Sequence, residues 1–184
     1  MSFESAPPIA PVTRINILQG QARVSAGPRV EFSTVLGSCV ATCLYDPEIE
    51  VGGMNHFLLA EPGSGVSAGD VDEHYGVYLM EVLINEMLAH GAAKPRLRAH
   101  LYGGANLNSH FARIGTANAD FARQFLASER ISVVREDLGG VNARRVDFRP
   151  ARGMVRCRSV PDVMAPVERP DTRPARATGD VELF

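Results

Sequence analysis

A thiol and an imidazole stand close together in this chain, each beside a glycine corner, and the pair is suited to nucleophilic chemistry. The run Val35-Leu36-Gly37-Ser38-Cys39-Val40-Ala41-Thr42-Cys43-Leu44-Tyr45-Asp46-Pro47 places Cys39 directly after Gly-Ser, and Gly52-Gly53-Met54-Asn55-His56-Phe57 delivers His56 shortly afterwards. A free cysteine titrates near about 8.5, so a catalytic thiol needs a partner that draws off its proton, most often an imidazole. Cys39 with His56 is therefore a candidate nucleophile and base, with the backbone amides of Ser38 and Cys39 as candidate donors to an oxyanion. A cysteine in an apolar strand is equally at home in a core. From the residues alone, packing and catalysis both stay open.

Other groups with chemical potential have plainer readings. Cys43 follows Cys39 by four residues on the same strand face. A metal site of Cys39, Cys43 and His56 would want a fourth ligand, and none stands at a recognisable spacing. Cys43 and Cys157 are read as structural, and His74, His90, His100 and His110 as surface or packing residues. Gly103-Gly104 after a strand lacks the Lys-Ser/Thr of a phosphate loop, so it is read as a close backbone approach to the active-site strands. The arginines at 144, 145, 149, 152, 156 and 158 form either a solvated face or a docking surface for an acidic helical partner.

Positioning such groups takes a sheet, and the sequence is strand-rich in its first third. Residues 14–18 and 30–36 alternate, Gln19-Gly20 begins a turn into 21–25, 39–45 is a short apolar run suited to a strand buried on both faces, and 54–60 follows as another strand. Residues 61–73, with their glycines, serines and acids, are expected to form a surface loop. The spacing of Met80, Leu83, Ile84, Met87 and Leu88 predicts a helix over 75–90, capped by Gly91. A second helix is expected over 118–129 with Phe121, Phe125 and Leu126 inward, and strands over 97–102, 131–136, 143–148 and 154–158. These elements lead us to expect an α/β layered sandwich, a mostly antiparallel sheet region covered by two helices.

Length and composition bound the rest. At 184 residues with 45% hydrophobic content, one domain with a sizeable core is expected. The expected organisation is a flexible lead over 1–12, a domain over 13–158 and a disordered Pro-rich tail over 159–184. The net charge of −2 gives no electrostatic case for nucleic acid or an anionic membrane. Three cysteines without framework spacing suit a reducing compartment, and neither a signal peptide nor a spanning apolar run is read, so a cytoplasmic protein is expected.

These motifs also carry a family likeness. Leu36-Gly37-Ser38-Cys39, Cys43-Leu44-Tyr45-Asp46, Gly52-Gly53-Met54-Asn55-His56, Tyr102-Gly103-Gly104-Ala105, Ile114-Gly115 with Asn118, and Asp137-Leu138-Gly139-Gly140 with Arg144 or Arg145 stand in order over roughly residues 13–158. In this the chain resembles the chemoreceptor glutamine deamidase family, CheD. The resemblance implies that Cys39 is the nucleophile and His56 the base. It implies a third member too, a hydroxyl, usually threonine, six residues before the cysteine. That position holds Ser33, with Thr34 beside it. Neighbours on a strand face opposite ways, so only one can serve, and Ser33 is the residue expected to orient His56.

The implied reaction is hydrolysis of glutamine side-chain amides on methyl-accepting chemotaxis receptors, through a thioester, to glutamate and ammonia. It needs no cofactor, and a glutamate methyl ester could enter the same acyl-enzyme. Two alternatives stand beside it: an adaptor that binds a CheC-type phosphatase, and a cysteine peptidase acting on extended backbone.

Overall fold

A computed structural model describes residues 11–59, 73–107 and 112–160. The expected lead, the loop after the histidine strand, His110 and the Pro-rich tail lie wholly or almost wholly outside the described residues. Nine strands and two helices are described: β1 (Thr13–Asn16), β2 (Gln21–Ser25), β3 (Val30–Leu36), β4 (Val40–Asp46), β5 (Val51–His56), α1 (Glu73–Ala89), β6 (Arg98–Gly103), α2 (Ala112–Ser128), β7 (Ser132–Leu138), β8 (Arg144–Arg149) and β9 (Met154–Ser159).

The strands form two sheets, β1-β3-β8-β9 and β2-β5-β4-β6-β7. Pairing is antiparallel except for β1 with β3 and β6 with β7. Two cores result. One lies between the helices and the five-stranded sheet and includes Val40, Leu44, Met80, Leu83, Met87 and Leu126. The other lies between the sheets and includes Phe32, Leu36, Ala41, Cys43, Met54 and Phe148. The mixed α/β layered sandwich expected from the sequence is the architecture found.

Strand β4 shows why its residues are almost all apolar. Val40 and Leu44 enter the helix-side core while Ala41 and Cys43 enter the core between sheets. A strand covered on both faces has no side left for water. In α1, Leu79, Met80, Leu83, Ile84 and Met87 are buried, but Leu88 is 40% exposed. At about 100° per residue the buried side chains span an arc of about 140° that ends at Ile84, and Leu88 falls just beyond it. The helix ends as expected at Gly91, with φ of +91°. Ala92 N–H donates to Met87 O at 3.1 Å and Gly91 N–H to Leu88 O at 2.9 Å, the paired closure of a Schellman end.

Two boundaries differ from expectation for reasons of packing. Strand β5 starts at Val51 because Gly52-Gly53 belongs to the strand and not to a turn. A Cβ on Gly52 would stand 2.4 Å from Pro150 O, and one on Gly53 2.7 Å from Leu83 Cδ1. Helix α2 starts at Ala112, before the expected 118. Gly115 conceals that first turn in the sequence, because glycine is a poor helix former. It is required there because a Cβ would meet the carbonyl oxygens of Gly104 and Ala105, both at 2.5 Å.

Candidate active site

Cys39 and His56 arrive from neighbouring strands of the five-stranded sheet. The β4–β5 ladder pairs Cys43 with Met54, and an isolated bridge pairs Val40 with Phe57, with hydrogen bonds of 3.0 and 2.9 Å. Carrying that register between the two points sets Ala41 opposite His56. Cys39, two residues along on the same face, becomes the diagonal neighbour of the imidazole. Both side chains are buried and both line one cavity of about 280 Å³, together with Ile17, Gln19, Thr34 and Gly37.

The corner that holds Cys39 is fixed through its carbonyls. Ala105 N–H donates to Gly37 O at 2.9 Å, Asn118 Nδ2 to Ser38 O at 2.9 Å, and Gly104 N–H to Cys39 O at 2.8 Å. Three consecutive carbonyls are thus taken up by the β6–α2 connection and α2. Gly103 and Gly104 have φ of +111° and +63°, and a Cβ on Gly103 would lie 2.1 Å from Cys39 O. The glycine pair is therefore the close backbone approach expected from the sequence.

The expectation for the third group is corrected by the structure. Ser33 Oγ does not meet the imidazole; it donates to Asp147 Oδ1 at 2.7 Å on the opposite face of β3. Thr34 meets the ring instead, with Oγ1 2.9 Å from His56 Nδ1. Strand alternation decides this: Phe32 and Leu36 point into the core between the sheets, and Thr34 shares their parity.

Proton accounting then sets the tautomer. Thr34 Oγ1 donates its single hydrogen to Ile17 O at 2.8 Å, so its lone pair faces the ring. Nδ1 also lies 3.4 Å from Ile17 O, which can only accept. Nδ1 therefore carries the proton in the neutral ring, and Nε2 carries the lone pair a base requires.

Several motif residues whose roles the sequence left blank act behind these groups. Asn118, fully buried, donates to Ser38 O and accepts from Leu59 N–H at 2.8 Å. Asn55 accepts from Thr42 N–H at 2.9 Å and donates to Leu79 O at 3.3 Å, tying β4 and β5 to α1. Arg144 donates to Gly103 O at 2.8 Å and Gly139 O at 2.7 Å and pairs with Asp137 at 3.1 Å. It supports the glycine segment beside Cys39. Gln19, given no role from sequence, accepts from Cys39 Sγ at 3.7 Å. Only its neighbourhood to a glycine turn could have drawn notice.

The remaining thiols differ from Cys39 in their surroundings. Cys43 is fully buried, and burial pushes its thiol well up. Cys157 lies 3.5 Å from Asp137 Oδ2, and burial together with that carboxylate pushes its thiol to about 11. His100 stacks on Tyr45, with ring centroids 5.3 Å apart, and its Nε2 lies 3.1 Å from Gly153 O; burial holds it below the usual histidine range. Among the described residues, no group of three His, Cys, Asp or Glu side chains could hold a metal ion, and no helix is long and apolar enough to cross a membrane.

Fold and cavity together define a layered α/β sandwich protein with a thiol and an imidazole on neighbouring strands of one sheet. Comparison with known proteins gives the family. The model described as CheD chemotactic sensory transduction matches residues 58–159, more than half of the chain and all of it downstream of Cys39 and His56. A protein of Zymomonas mobilis named "Probable chemoreceptor glutamine deamidase CheD" is 56% identical, over 93% of this chain and 92% of its own. Proteins of the same name from Caulobacter vibrioides and Agrobacterium fabrum are 48% and 42% identical, over 93% and 95% of this chain. The chain belongs to the chemoreceptor glutamine deamidase family, CheD. Among solved structures, a Bacillus licheniformis hypothetical protein, YfiH, aligns with a TM-score of 0.42 at 13% identity, over 65% of this chain and 49% of that one, a likeness too slight to carry weight.

Proposed function

We propose that this protein deamidates glutamine side chains of methyl-accepting chemotaxis receptors in the cytoplasm, with Cys39 as nucleophile, His56 as base and acid, and Thr34 as the group that orients the ring. The observation that carries this reading is the shared cavity of Cys39 and His56, with the imidazole held at Nδ1 by Thr34. Family membership supports the substrate class, since the relatives are named for that activity.

In this reading Nε2 of His56 takes the Cys39 proton, and the thiolate adds to the carboxamide carbon. The electron pair of the C=O bond moves to oxygen, where the Ser38 and Cys39 amides stabilise it. Collapse of the intermediate expels ammonia with the proton from the imidazolium. Water, deprotonated by His56, then cleaves the thioester to glutamate and returns the thiol. A receptor glutamate methyl ester would give the same acyl-enzyme with methanol as leaving group.

Incubation with the receptor's cytoplasmic region, followed by mass spectrometry of its peptides, tests the reading. Glutamine-to-glutamate conversion should be lost in Cys39→Ala while the melting temperature is kept. Undiminished conversion by that variant would remove Cys39 from the mechanism. A CheC-type phosphatase as an additional partner belongs to the same reading, and co-purification of the two proteins from one cell tests it.

A further inference from the structure

The turn between β1 and β2 carries Gln19 over the cavity, and the turn is tied at both ends. Ile17 N–H donates to Ser33 O at 2.9 Å, and Gly20 N–H donates to His56 O at 2.8 Å. Within it Gln21 N–H donates to Leu18 O at 3.1 Å, and Leu18 N–H donates to Gln21 Oε1 at 3.1 Å. Gly20, with φ of +80°, permits the tight path. The Gln19 side chain is thus exposed, yet it springs from a backbone pinned to the strand of the base and to β3. From there its carboxamide oxygen accepts from Cys39 Sγ at 3.7 Å.

Four side chains lining the cavity carry N–H groups: Asn16, Gln19, His56 and Arg145. His56 is committed at Nδ1 to Thr34 and Ile17. Arg145 Nη1 reaches Ser33 Oγ, at 3.4 Å, where Ser33 itself turns to Asp147. Gln19 has its carboxamide at the sulfur. An oxyanion forms one bond away from the carbon that the sulfur attacks, so a donor to it must sit close to the sulfur itself. The terminal torsion of glutamine is broad and roughly two-fold, so a half-turn replaces Oε1 by Nε2 at little cost.

We infer that Gln19 is a further catalytic residue, its Nε2–H donating to the oxyanion when Cys39 adds to a substrate carbonyl. The inference rests on Cys39 being the nucleophile, as proposed above, but not on the substrate being a receptor. While the thiol is protonated, Gln19 Oε1 accepts from it. Once the proton has passed to His56 and the sulfur–carbon bond forms, the carbonyl pair moves onto oxygen and the rotated amide meets that charge. Collapse returns the pair to the C=O bond as the leaving group departs with the imidazolium proton, and Gln19 is left unchanged.

The test contrasts two reactions of Cys39 in the full-length protein. Acylation by p-nitrophenyl acetate passes through a tetrahedral oxyanion; alkylation by iodoacetamide does not. Loss of one oxyanion donor commonly costs about a hundredfold or more. A donor on an exposed side chain should be worth less, so Gln19→Ala should acylate about ten to a hundred times more slowly. Gln19→Glu, which sets a negative charge at the same place, should be slower still. Alkylation of Cys39 should stay within about twofold in Gln19→Ala, which leaves thiolate formation untouched, whereas the carboxylate of Gln19→Glu should slow both reactions by opposing the thiolate. Equal losses in both reactions of Gln19→Ala would overturn the inference by making Gln19 a support of the thiol or the fold. So would unchanged acylation, faster acylation in Gln19→Ala (a side chain that blocks the site), or conversion of Gln19 itself to glutamate in the active enzyme. Acylation that persists in Cys39→Ala would overturn the nucleophile and this inference together. A clean split between the two reactions in a protein that leaves receptor glutamines intact would uphold Gln19 and remove the receptor as substrate.

Discussion

Two adjacent hydroxyls, Ser33 and Thr34, are both buried, yet they serve different partners. Thr34 joins Ile17 O to the imidazole, whereas Ser33 donates to Asp147, which also pairs with Arg158 at 3.3 Å. Thr34→Val keeps the β-branched shape and removes only the hydroxyl. A lost neutral hydrogen bond costs about 0.5–1.5 kcal/mol, and a ring free to take the wrong tautomer adds to that. Deamidation by Thr34→Val should therefore fall about tenfold or more in kcat, with Thr34→Ser retaining most activity. Ser33→Ala should instead lower the melting temperature while leaving kcat within a few-fold; a silent Thr34→Val beside a crippled Ser33→Ala would reverse these roles. The thiols give a second prediction. Burial pushes the Cys43 thiol up and holds Cys157 near about 11, so both stay protonated at neutral pH. Alkylation of Cys157 in the folded protein should rise as pH climbs toward that value, and Cys43 should react only on unfolding. Peptide mapping after timed labelling across pH checks both.

At the scale of elements, catalytic geometry depends on how the β6–α2 connection grips the corner before β4. Gly103 cannot accept a side chain: its φ is +111°, and a Cβ would stand 2.1 Å from Cys39 O. Gly103→Ala must push the Cys39 carbonyl away, so it should cost both stability and rate, with strain of about 1–3 kcal/mol from the dihedral alone. Asn118→Ala would leave Ser38 O and Leu59 N–H without the side chain that now joins them. Each buried group left without a partner costs about 1–3 kcal/mol. Thermal unfolding alongside ammonia release should show both variants lowered in melting temperature and in kcat. Normal activity in a destabilised Asn118→Ala would separate the corner's support from its catalytic alignment.

For the whole molecule, Asp46 ties the end of β4 to the connection between α1 and β6. Its carboxylate, at the end of β4, accepts from Glu48 N–H and Ala93 N–H, each at 3.0 Å, and meets Arg96 at 2.8 Å. Burial alone would push this carboxyl up, but the Arg96 hydrogen bond and the two amides outweigh it and hold it below the usual range. A folded value below the unfolded one, near about 3.9, means that the unfolded chain binds the extra proton first. The stabilisation is complete above that unfolded value and is lost as pH falls through the depressed folded value. Native protein should therefore lose stability on acidification below about pH 4, and Asp46→Asn should be less stable at neutral pH with a flatter acid limb. Denaturant melts across pH measure this; an unchanged acid limb in the variant would assign it to other carboxylates.

Spacing along one chain was enough to determine the class of the fold and to single out Cys39 and His56 as candidates. Gly37-Ser38-Cys39 and the histidine of the next strand were legible because a nucleophile and a base need particular residue types, and those are visible without coordinates. The helix over α1 was legible because one-sided burial imposes a period of about 3.6 on apolar residues, and the doubly buried β4 because burial on both faces leaves a continuous apolar run. The choice between Ser33 and Thr34 was only half legible: the parity of Phe32 and Leu36 marks the buried face of β3, but that His56 looks at that face follows only from the packing of the other sheet. Gly52, Gly53, Gly103 and Gly115 were visible as glycines, but the reason for each is a backbone or side chain distant in sequence: Pro150, Leu83, Cys39, Ala105. Gln19 stood wholly outside sequence reasoning. Its meaning comes from a turn pinned to His56 and β3, a contact that exists only once the two sheets have closed on each other.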